Sequence, residues 1–491
     1  MMSPYYLLIP ILLPILGGFS LLFLRMPAGE DRKRKLYLES IVVLTSIAVW
    51  ILFFTVRRES VEIYSFNRGF SIDFRMDSLS CLFAGMVSVM WPLVMLYAFE
   101  YMEGSKHKNR FFAFYVMTYG VTLGLSFSAN IMTLYTFIEM LTLVTIPLVT
   151  HYENHESMYA GRKYAAFTIG GTGLAFFAMV MTTVYGDTGN FVFGGSLNVS
   201  HLSPILELAF LAGFFGFGVK AAVFPLHSWL PTASVAPTPV TALLHAVAVV
   251  NSGVFAVTRM VWYTFGPELL YGTLSQVIAV LTVVFTMVFS AAQALKERHF
   301  KRRLAYSTVS NLSYMLFGIL LMTPSGLTAG LLHLVFHGII KMSLFLCAGL
   351  FMHVTGNEYI YQINGVGKRM PLTFTLYTLA GLSLAGVPLF CGFVSKWKLI
   401  NAGIGNGTFY SLAGVFGLII AAFLCAMYIL TVSIRAFFPM KGTDLYADRP
   451  EVRDKGKGML TPILVFGILN IILGIHPQPI VGYIERIAAG F

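Results

Sequence analysis

The chain has 491 residues, of which 57% are hydrophobic and only 11% are charged. A soluble globular protein carries about 25% charged residues, so this composition excludes a soluble protein and indicates an integral membrane protein. The net charge of +11 does not indicate nucleic-acid binding, because so apolar a chain has almost no polar surface. It is better explained by loop lysines and arginines that fix the orientation in the membrane.

A helix that crosses a bilayer needs about 20 predominantly apolar residues, and about fourteen stretches of the chain meet this requirement. They are 5–25, 36–56, 78–101, 111–128, 130–150, 164–185, 205–224, 237–264, 272–295, 304–323, 327–351, 372–390, 411–437 and 459–478. The alternating segment 57–78 predicts a short hairpin outside the membrane. The N-terminal stretch has no basic region and no cleavage site, so we predict a first span and not a signal peptide.

Basic clusters occupy every second loop of this layout. They are Arg32–Lys35, Lys106/Lys108/Arg110, Arg162/Lys163, 296–303, Lys368/Arg369 and 441–457. The intervening loops are nearly free of lysine and arginine, apart from the 57–78 hairpin with four arginines. The positive-inside rule therefore predicts cytoplasmic basic loops and both termini on the outer side of the cell membrane.

Two apolar segments combine a helix break with a lysine. In the first, Lys220 precedes Pro225, and in the second, Pro388 precedes Lys396. Interrupted helices at matching places in two halves of a chain indicate inverted repeats with an ion path at the break. We predict five-helix repeats from spans 4–8 and 9–13, with spans 7 and 12 broken. The predicted regions are 1–110 (three helices and the hairpin), 111–265 and 266–438 (the repeats), and 439–491 (a cytoplasmic loop and the last helix).

Ionisable residues near the middle of the predicted spans form the candidate site. They are Glu139, Lys220, His245, His333, His337, Lys341 and Lys396, and together we call them the polar row. Each such group costs roughly 2.5–3.5 kcal/mol at the bilayer centre, so several of them require partners, water or a function. His333, His337 and Lys341 follow each other at intervals of four and share one helix face.

Imidazole and ammonium groups in one stripe suit a proton path. Histidine both takes and gives a proton near neutral pH, and a desolvated lysine can do the same, whereas a nearby carboxylate opposes release. Movement of Glu139 relative to Lys220 would then gate proton uptake. Structural interpretations stay open: His245 as a packing group, His227 and Lys398 as interfacial residues, Glu100 as a helix-end anchor, and Glu139–Lys220 as a salt bridge.

Cofactor motifs are missing from the sequence. The four cysteines, Cys81, Cys347, Cys391 and Cys425, have no CxxC spacing, so neither a zinc nor an iron–sulfur site is indicated. The chain also has no P-loop, no dinucleotide-binding glycine motif and no haem motif. We therefore expect no cofactor and no metal in this chain.

Four stretches resemble a known superfamily. They are the glutamate in FIEM, GVKAAVFPLHSWLP followed by PTPVTALLHA, HLVFHGIIK, and GVPLFCGFVSKW. Such stretches are similar to those of the antiporter-like membrane subunits of respiratory complex I, of energy-converting membrane-bound hydrogenases and of Mrp-type cation/proton antiporters. The resemblance covers nearly the whole chain.

This resemblance implies fourteen helices, two inverted five-helix repeats and breaks in helices 7 and 12. It implies a coupled pair, Glu139 and Lys220, and a proton relay through His245 and the span-11 stripe to Lys396. Other family members carry lysine where this chain has His245, and some carry glutamate where it has Lys396.

The leading hypothesis is a proton-translocating, non-redox subunit of a redox-driven membrane complex of the NADH/quinone oxidoreductase or hydrogenase type. Its partners would be other membrane subunits, including antiporter-like ones, and iron–sulfur clusters would lie only in those partners. A second hypothesis is a subunit of an Mrp-type Na⁺(K⁺)/H⁺ antiporter. A third is a scaffold in which the charges only pair.

Overall fold

The structure, a computed structural model, is helical almost throughout and describes residues 4–23, 31–55, 60–67, 70–186 and 189–490. Its first half contains α1 (Ile9–Phe23), α2 (Asp31–Thr55), α3 (Ser78–Tyr101), α4 (Lys108–Ser126), α5 (Ile131–Val149), α6 (His155–Tyr185), α7 (Pro204–Gly218), α8 (Trp229–Thr232), α9 (Thr238–Ala246) and α10 (Val249–Arg259). Its second half contains α11 (Pro267–Leu270), α12 (Leu274–Lys296), α13 (Phe300–Leu320), α14 (Pro324–Thr355), α15 (Pro371–Ala385), α16 (Cys391–Asn406), α17 (Phe409–Phe437), α18 (Lys457–Ile475) and α19 (Gln478–Ala488). The predicted all-α membrane fold is confirmed.

The predicted hairpin is formed by two antiparallel strands, β1 (Val61–Asn67) and β2 (Phe70–Phe74). Asn130 ties the hairpin to α5, because its side chain donates to Ser71 O at 3.0 Å while it caps the helix by accepting from Thr133 N at 2.8 Å. Three of the four arginines predicted for this segment, at positions 57, 58 and 68, lie outside the described residues.

Ten helical segments of the described chain are long and apolar enough to cross a membrane. By that criterion the predicted count of fourteen is not confirmed. The remaining four predicted spans coincide with α4 and α13, which carry polar and basic residues, and with α7 and α15, which have 15 residues each. Three helices begin four or more residues before their predicted spans: α2 at Asp31, α6 at His155 and α13 at Phe300. The final amphipathic helix, α19, was not predicted.

The centre of the bundle is occupied by α14 and by the segment from α9 to α10. The most apolar stretch of each of these two spans is completely buried. In the outer spans, between 33% and 61% of the corresponding stretch is buried. A helix that is apolar all round can only be stable when other helices or lipid surround it. Helices α3, α9, α13, α15, α16 and α18 pack around α14, so its histidines and lysine are enclosed by protein and not by lipid.

The first predicted break is confirmed, but it starts earlier than the sequence indicated. We expected Lys220 to lie inside a helix that Pro225 ends, whereas α7 already ends at Gly218 and the next helix starts at Trp229. Lys220 therefore lies just beyond the carbonyl end of a half-helix. This position favours a cation, because the helix dipole carries partial negative charge there.

The second predicted break is confirmed as well, and a third was missed. Helix α15 ends at Ala385, where Gly386 adopts a left-handed conformation with φ of 96°, and α16 begins at Cys391. Span 8 was predicted to be continuous but is interrupted between Ala246 and Val249. Neither proline nor glycine marks this interruption, and the Asn251 side chain donates to Ala246 O at 2.7 Å to satisfy it.

A buried ion pair joins α3 to the end of α10. Arg259 donates from its two terminal nitrogens to Asp77, the N-cap residue of α3, at 2.6 and 2.8 Å. The guanidinium is fully buried and lies 4.5 Å from the ring centre of Tyr263. Burial raises the pKa of the Asp77 carboxyl, but Arg259 and its hydrogen bonds outweigh this and hold it at about 2. The pair therefore stays ionised at neutral and mildly acidic pH and weakens only as the pH falls toward 2.

Replacement of Asp77 by asparagine leaves the Arg259 charge buried without a counterion, which costs about 3–5 kcal/mol. We expect Asp77→Asn to lower the thermal unfolding midpoint of the detergent-solubilised protein strongly. The matched control is Glu485→Gln, which breaks the exposed Lys398–Glu485 pair at 3.0 Å and should change stability by about 1 kcal/mol or less. Equal midpoints for the two variants would contradict the anchoring role.

Candidate functional site: a row of buried ionisable groups

Lys220 is fully buried at the first break. Its ammonium donates to the Thr142 hydroxyl of α5 and lies 5.5 Å from the centre of the Tyr164 ring. Helix α10 closes the other side, since a Cβ on Gly253 would lie 2.7 Å from Lys220 Cβ. The absence of a side chain at Gly253 is what lets α10 approach this closely.

Glu139 lies on α5 one turn before Thr142, and it is half-buried. Its carboxylate accepts a hydrogen bond from the Thr172 hydroxyl of α6. Within the described residues no ion pair joins Glu139 to Lys220; Glu139 is held by Thr172 of α6 and Lys220 by Thr142 of α5, and no hydrogen bond joins these two threonines. The coupled pair expected from the resemblance is therefore close but not in direct contact.

His245 is the last polar residue before the unpredicted break in span 8. It is fully buried, its ring stacks on Phe345 of α14 with centroids 4.8 Å apart, and its Nε2 lies 3.5 Å from Ser234 Oγ. Its Nδ1 has no hydrogen-bond partner among the described residues. A water molecule or a proton-carrying neighbour would satisfy that nitrogen.

The α14 stripe extends from Phe345 toward the second break. Lys341 donates to Leu304 O at 3.0 Å and to the Ser307 hydroxyl, both on α13. His337 follows one turn away, and neither of its ring nitrogens meets a protein partner among the described residues. His333 comes next, with its ring centre 6.1 Å from that of His337.

Both nitrogens of His333 are engaged. Nδ1 lies 2.9 Å from Ser395 Oγ of α16, the residue before Lys396, and Nε2 lies 3.2 Å from Asn311 Oδ1 of α13. In the neutral ring, Nε2 carries the proton because the amide oxygen of Asn311 can only accept, and Nδ1 is then an acceptor. The Ser395 hydroxyl has two acceptors within reach, His333 Nδ1 and Gly392 O at 3.2 Å.

Lys396 lies at the second break. Its ammonium donates to Leu384 O at 2.5 Å and to Ala385 O at 3.3 Å, the last carbonyls of α15, and it lies 5.0 Å from the Tyr314 ring centre. Carbonyl groups at a helix end have no intrahelical donors. The Lys396 ammonium donates the hydrogen bonds that these carbonyls otherwise lack.

The sequence analysis did not identify the residues of α13 that contact the polar row. Ser307, Asn311 and Tyr314 of α13 contact Lys341, His333 and Lys396 respectively. Their spacing of four and three residues puts them on one face of α13. This spacing could have identified the three residues from the sequence. Thr142, Thr172 and Ser395 could not be identified in this way, because lone hydroxyl residues are common in membrane helices.

The row is continuous in some places and interrupted in others. The structure brings His333, Ser395 and Lys396 together, and it places His245 against the same helix face as Lys341. It gives no direct contact between Lys220 and His245. Proton movement across that interval would need water, which can bridge polar groups nearly as well as a direct hydrogen bond.

Several residues with structural interpretations do lie outside the row. Lys398 pairs with Glu485 at the surface, and Glu100 accepts from Met459 N at 3.1 Å. His227 stacks on Phe224 with ring centres 5.5 Å apart. Within the described residues, no group of three or more histidine, cysteine or acidic side chains is arranged to hold a metal ion.

Comparisons with known proteins place the chain among membrane transport subunits. Residues 128–425 match the family model "NADH:quinone oxidoreductase/Mrp antiporter, TM", and residues 63–112 match "NADH-Ubiquinone oxidoreductase (complex I), chain 5 N-terminus". The chain is 28% identical over 475 residues to NADH-quinone oxidoreductase subunit N of Desulforudis audaxviator (strain MP104C), covering 91% of each.

The sequence identity to an antiporter protein is about the same. The chain is 30% identical over 420 residues to a probable K(+)/H(+) antiporter protein of Rhizobium meliloti (strain 1021), covering 84% of this chain but only 41% of that relative. In fold, it matches a component of the Mrp complex from Dietzia sp. DQ12-45-1b with a TM-score of 0.86, at 20% identity and over 99% and 97% of the two proteins.

The hydrogen bond from Thr172 to Glu139 can be tested. Thr172→Val keeps the side-chain shape but removes the donor to Glu139, and a hydrogen bond to a charged group is worth about 1.5–3 kcal/mol. We expect roughly tenfold slower proton transport in proteoliposomes. The control is Thr168→Val, one turn earlier on α6, whose hydroxyl donates only to Tyr164 O at 2.7 Å. Equal rates in the two variants would show that the Thr172–Glu139 hydrogen bond has no part in transport.

Proposed function

Because this chain belongs to the NADH:quinone oxidoreductase/Mrp antiporter family of membrane proteins, we propose that it is a proton-translocating subunit of a redox-driven, multi-subunit membrane complex. The observation that carries this proposal is the polar row. Three lysines and three histidines lie fully or almost fully buried at the centre of the bundle. Unpaired buried charges are strongly destabilising, so a bundle that only needed stability would gain from apolar residues there.

Transport begins at the Glu139 end of the row. A change of charge or shape in a neighbouring protein of the complex alters the electrostatic field at Glu139 and at Lys220, whose partner Thr142 lies one turn from Glu139 on α5. Lys220 then takes up or releases a proton. Glu139 suits this role because it is only half-buried and the adjacent Leu143 is exposed on the same helix, which leaves this side of α5 open to a partner.

Transfer continues along α14. A proton passes from the His245 region to Lys341, then along His337 and His333, and reaches Lys396. His333 connects to the Lys396 region through Ser395. The unpartnered nitrogens of His245 and His337 are the places where water or an incoming proton can bind.

The chain itself performs no redox chemistry in this scheme. It contributes no cofactor, and iron–sulfur clusters belong to other subunits of an NADH/quinone oxidoreductase or hydrogenase type of complex. The match to a subunit N over 91% of both chains supports this assembly. Other antiporter-like subunits are its neighbours, the cell membrane is its location, and both termini face outward with the basic loops in the cytoplasm.

A second function, as part of an Mrp-type Na⁺(K⁺)/H⁺ antiporter, is favoured by the similarity to a K(+)/H(+) antiporter protein and by the Mrp complex fold. The same row would move protons against a cation path in a partner subunit. The chain spans less than half of that antiporter protein, which makes this the weaker proposal.

Lys220→Ala removes the cation at the first break and should abolish proton pumping while the complex remains assembled. We would measure donor-driven acidification of proteoliposomes, with subunit composition followed by native electrophoresis. The control is Lys398→Ala, which removes an exposed lysine outside the row. Normal pumping in Lys220→Ala, or in both Glu139→Gln and Lys396→Ala, would support the scaffold hypothesis instead.

The two transport functions differ in their driving force. For the redox complex we expect iron–sulfur absorbance in the purified assembly and proton transport that requires an electron donor but no added Na⁺ or K⁺. The measurement is proton flux with each component omitted in turn. Cation-dependent proton flux without a donor, in an assembly that lacks iron–sulfur absorbance, would show that the antiporter function is correct.

A further inference from the structure

A cavity of about 830 Å³ lies outside the polar row, where α1, α2 and the loop before α4 meet. Its lining comprises Leu22 of α1, Arg34 of α2, the loop residues 104–107 and the first residues of α4, 108–110. No residue of this lining has a part in proton transfer as described above. Proton transfer therefore does not explain this cavity.

Basic side chains dominate the part of the lining formed by residues 104–110. Four of these seven residues are basic in type: Lys106, His107, Lys108 and Arg110. Arg34 adds a further guanidinium from α2. So many cations in one concave site attract an anion, and phosphate is the anion that such clusters bind best at a membrane surface.

Carboxylates offset only part of this charge. Asp31 pairs with Lys108 at 3.2 Å and also with Arg34, and Glu153 pairs with Arg110. These ion pairs hold α2, α4 and the loop after α5 together at one end of the bundle. They fix the walls of the cavity; Asp31 is engaged through both of its oxygens and Glu153 through Oε1.

Lys106 remains available. It is exposed, and it makes no ion pair with any of the residues that the structure describes. Its neighbour His107, the N-cap residue of α4, has φ of 56° and gives no side-chain hydrogen bond to the start of that 19-residue helix. The positive end of the α4 dipole is thus directed into the same cavity, which adds to the attraction for an anion.

Apolar surface continues from the cavity along the helices that border it. Leu22, Phe23 and Leu36 of α1 and α2 are 39%, 71% and 68% exposed. In a membrane this surface is covered by acyl chains. A ligand that combines a phosphate with acyl chains matches both parts, whereas a water-soluble phosphate compound would match only the charged part.

We propose that this cavity binds the phosphate headgroup of an anionic phospholipid, whose acyl chains lie against α1 and α2. Lys106 and the N-terminal end of α4 contact the phosphate, and Lys108, Arg110 and Arg34 provide the surrounding positive field. The site is independent of the polar row, so it stands whichever proton-transport function is correct.

Native mass spectrometry of the purified assembly, released from nanodiscs of phosphatidylcholine with a minor fraction of phosphatidylglycerol, tests the proposal. We expect wild-type protein to retain phosphatidylglycerol in preference to phosphatidylcholine. Lys106→Glu should retain roughly tenfold less, because each cation near the surface contributes severalfold to binding, and Lys106→Ala should lie between the two. The matched control is Lys441→Glu, an equally exposed lysine in another basic loop, which should behave as wild type.

Three outcomes would overturn the proposal. The first is equal phosphatidylglycerol retention in wild type and Lys106→Glu. The second is displacement of the lipid by millimolar inorganic phosphate, which would make this a site for the free anion. The third is cross-linking of a Lys106→Cys variant to another subunit instead of to a lipid, which would make the cavity a protein interface.

Discussion

Lipid cannot satisfy a hydrogen bond, and most of this structure follows from that constraint. Every polar group at membrane depth must find its partner inside the protein. The chain meets this demand by placing its ionisable residues on α14 and on the segments beside it, which are the most deeply buried parts of the bundle. The outer helices present apolar side chains such as Phe54 and Phe423, which are 76% and 68% exposed. Polarity thus increases toward the centre, the reverse of a soluble protein.

The lysines at the two predicted breaks use the same physical device. Lys396 donates to the last carbonyls of α15, and Lys220 lies just past the end of α7. The negative end of a helix dipole favours a cation at both places; the Lys396 ammonium contacts that end directly, whereas the Lys220 ammonium donates to the Thr142 hydroxyl of α5. A carboxylate in the same position would neutralise the lysine and hold its proton. Carbonyl dipoles stabilise the cation less strongly, and they leave it able to exchange a proton with a neighbour.

The predictions that were confirmed were based on hydrophobicity, proline and glycine. The breaks near Pro225 and Pro388 and the α14 stripe could be located because proline interrupts helices and a period of four residues defines a helix face. The break after His245 could not be predicted, since its local sequence is composed of alanine and valine, and the freed carbonyl of Ala246 is satisfied by the Asn251 side chain five residues later. The Asp77–Arg259 pair was likewise beyond prediction, because 182 residues separate its partners.

Half-helix length sets how deep the breaks lie in the membrane. Helices α7 and α15 each have 15 residues, which corresponds to about 22 Å at 1.5 Å per residue, whereas a bilayer core is about 30 Å thick. A helix of this length cannot cross the core alone, so one that starts at a membrane face ends within the hydrocarbon layer. One inserted residue would move that end by about 1.5 Å and turn it by about 100°, away from the row. The loops can change in length without this effect, but these two helices cannot.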